Sequence, residues 1–82
     1  MMKLEPVYVI WHDAVSEDDW QDLESAKELV THQIHSLGFL IEEDKNRIVI
    51  ALSLDKENDS ASQTLVIPKT WMLGMKKLRV KL

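Results

Sequence analysis

The sequence has no cysteine, two glycines, two prolines, one tyrosine and one phenylalanine. Without thiols there is neither a disulfide framework nor a thiolate metal site, so the 82 residues must be held by their core alone or by that core plus a partner subunit. The two glycines, Gly38 and Gly74, stand far apart and form no phosphate-cradling loop. Nowhere do about eighteen apolar residues run together, and Met1-Met2-Lys3-Leu4-Glu5-Pro6 lacks the apolar core and cleavage site of a signal peptide. A soluble protein of the cell cytoplasm is expected. Positive charge is scarce as well: ten Lys and Arg against fourteen Asp and Glu give a formal net charge of -4. That balance argues against a surface that tracks a nucleic-acid backbone.

What is present is apolar content of 45%, with three tryptophans, which is enough to fold one domain over residues 1–82. The organising stretch is residues 38–54. Two apolar, β-branched runs flank the charged connector Glu43-Asp44-Lys45-Asn46, and this reads as a β-hairpin. Ile48, Ile50, Leu52 and Leu54 share one face of its second arm, and Arg47, Val49, Ala51 and Ser53 the other.

Upstream, residues 7–13 are β-branched and aromatic and form a first strand, with Val7, Val9 and Trp11 on one face and Tyr8, Ile10 and His12 on the other. Apolar groups on both faces predict cover on both sides, by the core and by a helix or a neighbouring subunit. Ser16 followed by Glu17, Asp18 and Asp19 is the signature of a capped helix start, and Trp20, Leu23, Ala26 and Val30 continue at helical spacing, which predicts a helix over residues 17–29. Residues 31–37 admit two readings, a helix ending at Gly38 or a strand bending there. The strand is preferred, because Thr31, His32, Ile34, His35 and Ser36 are mediocre helix formers.

Downstream, residues 55–62 are polar and without period and predict a loop, residues 63–67 a short fourth strand, and Pro68 to Trp71 a single tight turn. Leu78, Val80 and Leu82 alternate with Lys77, Arg79 and Lys81, which predicts a half-buried last strand over residues 72–82 with a basic outer face and a bulge at Gly74. The fold class expected is mainly β with one inserted helix, a five-stranded small barrel with the helix between strands one and two.

The order strand, insertion, bent strand, hairpin, strand, turn, strand resembles the Sm-like or Src-homology-type small barrels. The phrases Trp11-His12-Asp13, Ser36-Leu37-Gly38-Phe39-Leu40-Ile41-Glu42-Glu43-Asp44 and Ile67-Pro68-Lys69 resemble a loose group of short phage and prophage proteins. The resemblance implies a phage origin and this fold, and names no chemistry. The Asn- and Gly-bearing loops by which Sm proteins contact RNA have no counterpart in the sequence, which argues against RNA binding.

Candidate chemistry is thin. His32 and His35 have a spacing that on a helix would suit a metal, but on a strand it sends them to opposite faces, and no carboxylate or thiol nearby completes the set. His12-Asp13 has no nucleophile beside it, so Asp13 is expected to serve the turn or a partner contact. Neither a catalytic residue, a metal nor a cofactor is assigned. The remaining asymmetry is charge. Lys69, Lys76, Lys77 and Arg79 surround Trp71 near the end of an acidic chain, the ingredients of an anion or nucleotide site. Trp11, Trp20 and Asp13 are the candidates for a partner interface, since three large rings exceed what one small barrel interior fills.

The function expected is that of a non-catalytic, phage-encoded binding protein. It would be a homo-oligomeric inhibitor that sequesters a host defence factor, either a small anionic nucleotide or a host protein. The alternatives are an Sm-like nucleic-acid binder and a structural or scaffold phage protein.

Overall fold

In a computed structural model of the chain, which describes residues 4–14 and 19–80, five antiparallel strands form one sheet. They are β1 (Pro6–Asp13), β2 (His32–Glu43), β3 (Arg47–Asp55), β4 (Ser60–Pro68) and β5 (Met72–Lys77), in spatial order β4-β3-β2-β1-β5. One short helix, α1 (Leu23–Lys27), lies between β1 and β2, and a 3-10 turn (Lys69–Trp71) joins β4 to β5. Residues 31–37 are therefore extended from His32 onward, as their poor helix propensity predicts.

β2 is shared between two halves of the sheet. Its first part pairs with β1 from His32 to Phe39, and its second part pairs with β3 from Phe39 to Glu43, so the two ladders overlap at Phe39 alone. Gly38 lies just before that switch, and a Cβ there would stand 2.9 Å from the Ala51 carbonyl oxygen and 3.3 Å from Ile50 Cβ. Only a residue without a side chain lets the two strands come this close. Ile41 is the extra residue of a bulge between Leu40 and Glu42, which adds to the bend.

The 3-10 turn shows how far the sheet curls. Its strands occupy opposite edges, about 19 Å apart in a flat five-stranded sheet. A three-residue 3-10 turn advances only about 6 Å. The edges nevertheless stay unbonded to each other: β4 and β5 each have one strand neighbour, so the sheet is not closed into the expected barrel. Pro68 ends β4 without an N–H to offer, and β5 is bulged where it begins, Leu73 being the residue skipped between Trp11↔Met72 and Ile10↔Gly74. The bulge predicted at Gly74 thus falls one residue earlier.

The concave face carries the core. Val7, Val9 and Trp11 from β1, Ile48 and Ile50 from β3 and Ile67 from β4 are buried, with Ile34, Leu40, Met72 and Met75 packed against them. Cross-strand pairing puts Val9 beside Ser36 and Met75, and the Trp11 indole N–H donates to Ser36 Oγ at 3.0 Å. The other face of β1 lacks the expected helical cover. Tyr8, Ile10 and His12 are half-buried among side chains of their own sheet, and the Tyr8 hydroxyl is hydrogen-bonded to His35 Nδ1.

Three other expectations differ from the structure. α1 is five residues long, buries no residue, and starts from Asp22, whose side chain accepts the Ser25 N–H; the Ser16 cap lies outside the described residues. Leu23 and Trp20 are exposed, so the helical stripe meets no core to stabilise a longer helix. β3 and β4 continue through the stretch expected as loop and leave only residues 56–59 as the turn, with Asp59 in left-handed conformation at φ 51°. The radius of gyration is 16.4 Å, against about 12 Å for a compact chain of this length. β5 ends at Lys77, after which Leu78 N–H still donates to the Pro6 carbonyl at 2.9 Å, while Val80 is exposed; Lys81 and Leu82 lie outside the described residues.

Aspartates close the turns. Asp44 Oδ1 accepts the backbone N–H groups of Asn46 and Arg47 at 2.8 and 3.0 Å, and its other oxygen meets the Arg47 guanidinium at 2.5 Å. Asp55 accepts the Asn58 side-chain amide at 2.7 Å and the backbone amides of Glu57 and Asn58. These bonds to the ionised form hold both carboxyls below the ordinary value of 3.8, led by the Asn46 amide for Asp44 and by the Asn58 side chain for Asp55.

Two predictions follow from this architecture. Gly38→Ala should lower the stability measured by urea unfolding by about 1–3 kcal/mol, because the obstacle is backbone. Gly74→Ala, which meets nothing within 4 Å, should change it by no more than about 1 kcal/mol. Equal losses at both glycines would remove the close approach as the cause.

A folded-state carboxyl value below the unfolded one gives stabilisation that is complete above the unfolded value and lost as pH falls through the folded one. The gap in urea midpoint between the wild type and an Asp44→Asn/Asp55→Asn variant should therefore stay constant above about pH 4 and shrink below it. A gap that widens in acid would contradict the turn bonding described here.

Candidate functional site

The five residues expected to form one anion site are spread along the chain's last turn and strand. Lys69, in the 3-10 turn, is engaged: its Nζ pairs with Glu43 at 2.9 Å and its N–H donates to the Asn46 carbonyl at 2.8 Å, which ties the turn to the tip of the β2–β3 hairpin. Trp71 stacks on Trp11 with ring centroids 6.4 Å apart and planes 12° from parallel. It therefore stands at the Trp11 end of β1, whereas Lys76 and Lys77 pair with Tyr8 and Val7 toward the other end. About six strand residues, roughly 20 Å, separate the Trp71 ring from Lys77. The structure does not bring the expected ring and cations together.

Arg79 reaches a different place. It lines a cleft of ≈ 570 Å³ with Leu4, Glu5, Pro6, Phe39, Lys56, Leu78 and Val80. Each wall has a structural reason. Glu5 and Pro6 are held at the start of β1 by the Leu40 N–H to Glu5 carbonyl bond of 2.8 Å and the Leu78 N–H to Pro6 carbonyl bond of 2.9 Å. Phe39 sits where β2 changes partners, and Lys56 follows Asp55 into the turn at the end of β3. The result is a mainly apolar concavity with two cations, Lys56 and Arg79, one carboxylate, Glu5, and one aromatic ring, of the size small-molecule sites have. Sequence reasoning found Arg79 and missed Phe39 and Lys56. Nothing in the local sequence marks those two, because their meeting depends on the strand pairing and on the length of β3.

At the opposite end of β1 a second cleft, of ≈ 360 Å³, is lined by His12, Ala14, Thr31, Thr70, Trp71, Met72 and Leu73. His12 Nδ1 and Thr31 Oγ1 are 2.8 Å apart across its floor. Asp13 is half-buried and accepts the Ala14 N–H at 2.9 Å, so its carboxylate serves the turn at the end of β1. Of the three residues expected at a partner interface, Trp11 belongs to the core, Asp13 is used locally, and Trp20 is fully in solvent at 102% exposure. His32 and His35 point to opposite faces of β2, with His35 bonded to Tyr8 and through Nε2 to Gln33 Oε1. Among the described residues no three His, Cys, Asp or Glu side chains converge on a point where a metal ion could be held, and no helix is long and apolar enough to cross a membrane. Comparison with family models, with curated proteins and with solved structures gives no match, so the functional reading rests on the geometry of these clefts.

Proposed function

We propose that the chain is a non-catalytic binding protein, related in strand arrangement to Sm-like or SH3-type small barrels but left open between β4 and β5, that captures a small anionic ligand with an aromatic part, of the nucleotide class. In the phage setting that the sequence phrases suggest, such capture would withdraw a signal used by the host's defences. The strand order, the strand shared between two half-sheets and the one-turn 3-10 link are the features that support the barrel reading.

The observation that carries the ligand reading is the cleft between the start of β1 and the segment that follows β5. Phe39 offers a ring face for a base, and Lys56 and Arg79 offer cations for phosphate oxygens, beside an apolar wall of Leu4, Leu78 and Val80. Glu5 lines the same cleft and repels an anion, so it sets where the phosphate lies. A nucleic-acid strand suits the site less well, since the cations of the chain's last part are distributed rather than aligned and the chain is acidic overall.

Calorimetry with a panel of linear and cyclic nucleotides should give a binding heat that weakens as salt is raised. Arg79→Ala and Lys56→Ala should each weaken binding by about tenfold or more, and Glu5→Gln should strengthen it. Absence of heat with every member of the panel, or heat unaffected by Arg79→Ala and Lys56→Ala, would overturn the reading.

A further inference from the structure

Two uncovered surfaces of the chain are both apolar and carry opposite charge. The first is the segment that includes α1. Trp20 is 102% exposed and Leu23 76%, although tryptophan is among the side chains that proteins bury most thoroughly on average. Around them stand Asp19, Asp22, Glu24 and Glu28 against the single cation Lys27, which pairs with Glu24 at 3.3 Å. The second is the start of β5. The ≈ 360 Å³ cleft there has Trp71, Met72 and Leu73 along one side, with Trp71 44% and Leu73 59% exposed. Beyond it the strand continues to Lys76 and Lys77, and residues 72–80 carry no carboxylate.

Neither surface is covered by the other within one chain. Trp20 remains wholly in solvent while the cleft stays open. We propose that two copies of the chain exchange these contacts: Trp20 and Leu23 of each copy enter the Trp71–Leu73 cleft of the other, and the acidic side chains of the same segment lie against Lys76. The spacing is compatible. Leu73 and Lys76 are three strand residues apart, about 10 Å, which two to four residues of chain from Trp20 to Asp22 or Glu24 can span. The exchange is reciprocal, so it closes as a two-fold dimer and does not propagate. The charges contribute direction and salt sensitivity; the indole contributes most of the affinity. This inference is independent of the ligand reading, because Phe39, Lys56 and Arg79 take no part in it.

The test is light scattering of the full chain across concentration and salt. The expected result is a dimer that dissociates on dilution and on raising salt. Trp20→Ala should raise the dissociation constant at least about tenfold. It should leave the urea midpoint of the diluted monomer unchanged, since the side chain touches nothing there. Lys76→Glu should likewise give monomers, and adding Glu24→Lys to that variant should restore the dimer, which a merely unfolded variant could not do. A mass of one chain at every concentration overturns the proposal, whether the segment then closes on its own cleft or awaits another protein. A dimer indifferent to Trp20→Ala overturns it too. Nucleotide heats measured on the same variants keep the ligand reading separate from this outcome.

Discussion

The close approach of Gly38 to the Ala51 carbonyl is the constraint on which the rest of the structure depends. A strand that pairs with β1 along its first part and with β3 along its second must bend where the partners change, and the bend brings backbone against backbone. With hydrogen as its side chain, Gly38 lets Val7 on one side and Ile50 on the other reach the same concave core. Every downstream feature uses that curvature. The short 3-10 turn can join opposite edges of the sheet only because the sheet has already curled, and the Lys69 to Glu43 ion pair then fastens that turn to the hairpin tip. The ion pair is partly exposed, so it guides the geometry more than it stabilises it.

Curvature without closure explains why so much apolar surface is left over. Among the described residues the core cluster is six side chains from β1, β3 and β4, with four more packed against it from β2 and β5. That is a small core for 82 residues, and chains of this size have little margin of stability to spare. Leu37, Leu52, Val66 and Leu73 are exposed because each lies outside the curled region or on its convex side. Exposed groups in strands cost little when single, but a fully exposed tryptophan beside an exposed leucine is the kind of patch that marks an interaction surface.

The parts of this fold that could be read from residues are those in which burial and period agree. Val7, Val9 and Trp11 alternate and are buried; Ile48 and Ile50 alternate and are buried; Asp44 sits between two apolar runs and closes their turn. Thr31 through Ser36 could be assigned to a strand by poor helix propensity, and Pro68 by its missing N–H. The errors fall where pairing is maintained by backbone hydrogen bonds with no buried face. Residues 60–62 and Asp55 pair across the distal hairpin although all are exposed, so their side chains carry no periodic signal. The reverse error occurred in the inserted segment: Trp20, Leu23 and Val30 have helical spacing, but no core lies beneath them and only one turn and a half of helix forms. The same reason hid the Phe39, Lys56 and Arg79 cleft, whose members lie on three separate elements and meet only through register.

Where that cleft lies also bears on how it can work. Leu4 to Pro6, Lys56 and Leu78 to Val80 line the cleft without belonging to the buried core cluster, and two backbone hydrogen bonds, from Leu40 to Glu5 and from Leu78 to Pro6, hold its walls. Local opening of such segments requires far less free energy than global unfolding, so the walls can part to admit a ligand while the concave core stays intact. The proposed ligand, bridging Lys56 and Arg79, would link the β3–β4 turn to the segment after β5, and its binding free energy would add to the stability of that arrangement by mass action.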